Sequence, residues 1–153
     1  MREPLGLFFA MLLTTSVLAQ PQPQDSQTVT VGPWVIATTY KAEKFDNCSM
    51  SRSVAGLGIS FTRTADGLLL TLDSPKWKLE RGKAYSVRLL AGSQSVDAQA
   101  LAETRGVTIA LAERRFNGKL RSSSILEVRG EGATLQVPLD ASTLALGDCP
   151  GEC

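Results

Sequence analysis

The sequence predicts an all-β protein: a single-domain β-sandwich of about eight or nine short, mainly antiparallel strands with a short C-terminal helical turn. Three observations predict it. Apolar residues alternate with polar ones at period two, the alternating runs are short, and Gly, Pro, Asn and Asp punctuate them. A polar, flexible leader over residues 20–27 comes first, and the domain occupies 28–153. In TVTVGPWVIATTY, Gly32-Pro33 splits a β-branched and aromatic run into two strands. KAEKFDN reads as a charged loop, and a segment over Cys48 to Ser53 follows it. Leu57, Ile59 and Phe61 share one face of LGISFTRT, which Asp66-Gly67 turns into LLLTLDS as a hairpin.

Pro75 to Gly82 reads as a loop carrying Trp77 and Leu79. Alternation then resumes in AYSVRLL (Tyr85, Val87, Leu89), SVDAQA (Val96, Ala98, Ala100) and GVTIAL (Val107, Ile109, Leu111). Between Ala112 and Leu120 the pattern loosens, and Asn117-Gly118 marks a turn, a short helix being the alternative. SILEVRG and ATLQVPL are the last strands, and Asp140 is placed to cap a helical turn through Ala141 to Leu146. No internal repeat or second domain interrupts this order.

The first 19 residues have the layout of a secretory signal peptide: Arg2, an apolar run from Leu5 to Leu18, and cleavage expected after Ala19. The run is shorter than the roughly 20 apolar residues of a membrane-spanning helix. A periplasmic or secreted protein with no stable membrane insertion after cleavage is the expectation. Losing Arg2 and Glu3 leaves the net charge at +1. That balance, with only 6% aromatic residues, argues against nucleic acid as a partner.

The chain contains no histidine, which excludes Ser-His and Cys-His catalysis and removes the commonest ligand of zinc. No metal site, cofactor or catalytic residue is expected. The carboxylates Asp46, Asp66, Asp73, Asp97, Glu103, Glu127 and Glu131 are scattered near turns and read as solvated charge. Two basic clusters are candidates for an anionic surface: Lys76, Lys78, Arg81 and Lys83, near Arg88, and then Arg114, Arg115, Lys119 and Arg121. They would act together if both lay on one side of the fold; ordinary solubilising charge on loops is the alternative, favoured by the acidic residues that balance the total. Trp34 reads as core, whereas Trp77, between two lysines in a loop, is the candidate exposed aromatic, packing under the loop being the commoner fate of such a tryptophan.

Export places Cys48, Cys149 and Cys153 in an oxidising compartment. Joining Cys48 to Cys149 would close a loop of about a hundred residues and remove on the order of 4–5 kcal/mol of denatured-state freedom. Cys153 is the alternative partner, and the thiol left over could link a dimer. A bridge from Cys149 to Cys153 would instead close a small, strained ring of redox character.

GPW at the first strand, FDNCSMSR, the DGLLLTL hairpin and WKLERGKAYSVRLL, followed by a small-residue stretch ending in cysteine, resemble the invasion-associated locus B family over Val31 to Cys149. The matched positions are Trp34, Cys48, Trp77 and Gly82. Family members often carry further cysteines in the second half, whereas residues 49–148 here hold none. The resemblance implies a small exported all-β protein of Gram-negative bacteria without established catalytic residues. Its expected role is binding or surface interaction, with an envelope or host-surface protein or glycan as partner. The alternative expectation is a periplasmic inhibitor or accessory chaperone of another envelope protein.

Overall fold

A computed structural model describes residues 25–140 of the chain. The protein is all-β, with strands β1 (Asp25–Val31), β2 (Trp34–Lys41), β3 (Lys44–Val54), β4 (Leu57–Thr64), β5 (Gly67–Asp73), β6 (Ala84–Ala91), β7 (Gln94–Ala102), β8 (Gly106–Leu111), β9 (Ile125–Gly130) and β10 (Ala133–Pro138). One helix, α1 (Arg114–Ser122), lies between β8 and β9. The strands form one continuous antiparallel sheet in the order β1-β2-β3-β4-β5-β8-β7-β6-β9-β10, curled into a half-barrel. The two facing layers expected of a sandwich are thus halves of one curled sheet.

Short turns set this order. The chain passes from β1 through β5 as a meander of two-residue hairpins, with Gly32 (φ 55°) before Pro33 in the first and Ala55-Gly56 (φ 51° and 80°) in the third. Ala42 and Glu43 make the second hairpin with φ of 49° and 63°, although neither is glycine. The segment KAEKFDN, expected as a loop, therefore supplies that turn and the start of β3, which brings the strands to ten. Charge does not prevent a strand whose backbone finds a ladder: Lys44 and Phe45 stand opposite Lys41 and Tyr40 of β2, and pairing with β4 begins at Asn47. β1 likewise begins inside the expected leader, because Asp25, Ser26 and Gln27 pair with Tyr40, Thr39 and Thr38. The helical turn expected over 141–146 lies outside the described residues.

Period-two alternation decides which residues face inward. Ile36, Met50, Phe61, Leu70, Ile109, Ala100 and Tyr85 stand opposite one another in a single row across seven strands. All of them but Tyr85 are buried. Trp34 packs edge-on against Phe61 with ring centroids 6.1 Å apart. From the other half, Leu89, Leu126, Val128 and Val137 close on the same cluster. Helix α1 caps one end of it: Phe116 and Leu120, one turn apart, are buried, and Asn117 Nδ2 donates to the Leu111 carbonyl at 2.8 Å. Of the two readings of Asn117-Gly118, the short helix and not the turn is the one formed.

The end of β10 meets β2 and β3. Trp34 Nε1 donates to the Asp140 carbonyl at 2.8 Å, and Arg52 Nη1 donates to Asp140 Oδ1 at the same distance. The Arg52 guanidinium also lies 5.3 Å from the Trp34 ring centroid. These contacts tie the last strand to the second and hold the half-barrel closed at that corner.

Candidate binding site

Because β5 pairs with β8 and not with β6, residues 74–83 must cross the end of the sheet over β8 and β7. Such a crossing leaves backbone groups that no hairpin satisfies, and the β7–β8 turn satisfies them. Ser74 N donates to the Arg105 carbonyl at 2.9 Å, Leu79 N to that of Thr104 at 2.9 Å and Gly82 N to that of Ala102 at 2.8 Å. Gly82 does so at a φ of 84°, a left-handed conformation open to glycine at little cost. The crossing loop is therefore an anchored strap.

Trp77 and Leu79 turn toward the sheet and are half-buried, while Lys76, Lys78 and Glu80 between and beside them are exposed. Beneath the strap the inner faces of the sheet part into an apolar cleft of about 230 Å³. Val107 and Ile109 from β8, Tyr85 and Val87 from β6, Val128 from β9 and Leu135 from β10 line it, with Trp77 and Leu79 as its roof. Gly130 also lines it, where β9 runs close to β6: a Cβ there would lie 2.8 Å from Val87 Cγ1 and 3.1 Å from the Ser86 carbonyl oxygen. Glu131, in the β9–β10 turn, is the carboxylate on the lining.

Lys83 Nζ lies 4.9 Å from the centroid of the Tyr85 ring, which holds a cation beside this lining. Among the described residues, no carboxylate lies within ion-pair distance of Lys76, Lys78 or Lys83, whereas Arg81 pairs with Glu103 at 3.0 Å. Of the first basic cluster, Lys83 thus stands beside the cleft lining, and Lys76 and Lys78, exposed, flank Trp77 along the strap.

The second cluster is elsewhere. Arg114, Arg115, Lys119 and Arg121 belong to α1, at the opposite end of the sheet, where Lys119 packs against Gly92 of the β6–β7 turn. Eight expected contacts with one anionic surface are thus two separate patches. Trp77 takes the packed alternative: it is half-buried against the core and roofs the cleft. Trp34 is fully buried, as expected.

Cys48 is fully buried on the inner face of β3, and Thr38 Oγ1 donates to its sulfur at 3.6 Å. Cys149 and Cys153 lie outside the described residues. Several carboxylates are occupied by neighbouring cations: Asp46 by Lys41 at 3.1 Å, Asp97 by Arg88 at 2.8 Å and Glu127 by Arg129. Hydrogen bonds from Lys41, Arg88 and Arg52 hold the carboxyls of Asp46, Asp97 and Asp140 below the usual range. Among the described residues, no group of three or more Cys, Asp or Glu converges as a metal site, and no helix is long and apolar enough to cross a membrane.

Sequence reasoning missed the walls of the cleft. Tyr85, Val87 and Leu135 read as core because strand alternation marks the inward face without showing whether that face is covered. Comparison of the chain with family models, curated proteins and solved structures finds no match.

Proposed function

We propose that this chain is an exported, non-catalytic binding protein resembling the invasion-associated locus B family, which binds through the apolar cleft and its lysine-bearing strap. The observation that carries this reading is the contrast in packing. The inner face is filled from Trp34 on β2 across to Leu126 on β9 and Val137 on β10, yet it opens beneath Trp77 into an apolar space beside Lys83, which has no carboxylate partner among the described residues. An open apolar space with a few polar groups at its edge is the ordinary form of a ligand site. The signal-peptide layout of residues 1–19 supports a periplasmic or secreted location.

In this reading Cys48 is joined to Cys149, with Cys153 as alternative partner. The course of the chain supports it: Asp140 is held beside β2 and β3, and Cys149 follows nine residues later. That span reaches at most about 30 Å, ample to return to Cys48. A second reading, an inhibitor or accessory chaperone of another envelope protein, draws support from β1. Its residues Asp25 to Thr30 are all exposed, and its outer edge offers backbone groups to a partner strand.

Immobilised protein exposed to Gram-negative envelope extract tests the first reading. Wild type should retain a component that the Lys83→Glu, Ala133→Trp double variant loses, while Arg114→Glu, Arg115→Glu retains it. Equal retention by all three would remove the cleft from the function.

A further inference from the structure

We infer that the cleft takes the hydrocarbon chain of a single-chain amphiphile whose anionic head, carboxylate or phosphate, lies against Lys83; this rests on the cleft being the binding site. The lining selects the chain. Apolar side chains, aliphatic but for Tyr85 and the roof Trp77, form its floor and walls, with Glu131 at one edge, so a sugar or an extended peptide would bring hydroxyl or amide groups there and leave most of them unpaired. The size selects a single chain. At about 230 Å³ the space exceeds the roughly 150 Å³ of a cavity that holds benzene, and falls below the roughly 300 Å³ at which sites for drug-sized ligands begin.

The charge selects the head. Lys83 is fixed over Tyr85, whose ring forms part of the lining, so an ammonium stands beside the apolar wall without a carboxylate partner among the described residues. Lys76 and Lys78 flank the roof residue Trp77 and extend the positive edge. Glu80 on the strap and Glu131 on the lining oppose it, which makes a cationic amphiphile of equal chain length the informative control. A flat anionic membrane would engage the lysines and leave the cleft unused.

Calorimetric titration of the full chain with dodecanoate and dodecyl phosphate, below their micelle concentrations, tests the inference. One-to-one binding is expected, tightening about threefold to fourfold for each CH₂ from octanoate to dodecanoate. Lys83→Glu should weaken dodecanoate at least fivefold. Ala133→Trp, at an exposed position on the lining, should abolish binding with the fold intact by circular dichroism. Dodecyltrimethylammonium binding as tightly as dodecanoate would overturn the head-group assignment. Failure of wild type to bind either anion, with envelope retention still dependent on the cleft, would overturn the ligand class and leave the binding reading standing. Equal dodecanoate binding by wild type and Ala133→Trp would overturn both. Adsorption of both proteins to phosphatidylglycerol vesicles, without binding of free dodecanoate, would overturn the inference in favour of a charged lipid surface.

Discussion

Asp140 shows how single residues join distant parts of this chain. Its carbonyl accepts from Trp34 and its carboxylate from Arg52, partners 106 and 88 positions away. The Arg52 hydrogen bond lowers its carboxyl from the ordinary value. A carboxyl lowered on folding contributes stability that is present above the unfolded value, about 3.9, and is lost as pH falls through the folded value. Asp140→Asn should therefore lower Tm slightly at neutral pH, with the two melting curves converging as pH falls below the ordinary carboxylate range. A difference independent of pH, measured by circular dichroism across that range, would show that the contact carries no linked proton. No local pattern in the sequence announces this pair, since nothing around either residue specifies a partner so remote. Trp34, by contrast, was legible as core because its strand alternates cleanly with Ile36 and Thr38.

At the scale of elements, most strands were legible because one face of each is apolar and the turns between them hold Gly, Pro or Asp. What was not legible followed from pairing. β3 begins with charged residues and β1 with polar ones, yet both are strands because the neighbouring backbone supplies the ladder. Helix α1 was obscured by Gly118 in its interior and by a polar face of four basic residues. Its place is set by two side chains, Phe116 and Leu120, which close one end of the core. Phe116→Ala should cost about 3–5 kcal/mol in urea unfolding, the usual loss for emptying a buried aromatic position. Ligand binding at the strap should be unchanged under native conditions, because the helix and the cleft occupy opposite ends of the sheet. Binding lost along with α1 packing would show the two ends to be coupled.

For the whole molecule, strand order creates the site. A plain ten-strand meander would have joined β5 to its neighbour by a short turn; here β8 takes that neighbouring place, and the chain must cross the sheet end to reach β6. The crossing carries Trp77 and Leu79 over the inner face and leaves Lys76 and Lys78 exposed on the strap, with Lys83 beside Tyr85. The lysines and Trp77 were legible as candidates, since charge and aromatic residues in a loop are visible locally. The cleft was not, because the distance between the two halves of a curled sheet depends on the strand order. The same order separates the two basic clusters that composition alone could treat as one.

Binding beneath the strap is open to direct observation through the amide chemical shifts of the isotope-labelled full chain titrated with dodecanoate. Saturable shifts are expected at Trp77, Leu79, Tyr85, Val87 and residues 130–135, including the Trp77 indole, with α1 and β1 unmoved. Shifts centred on Arg114 and Arg115, or along Asp25–Val31, would contradict it.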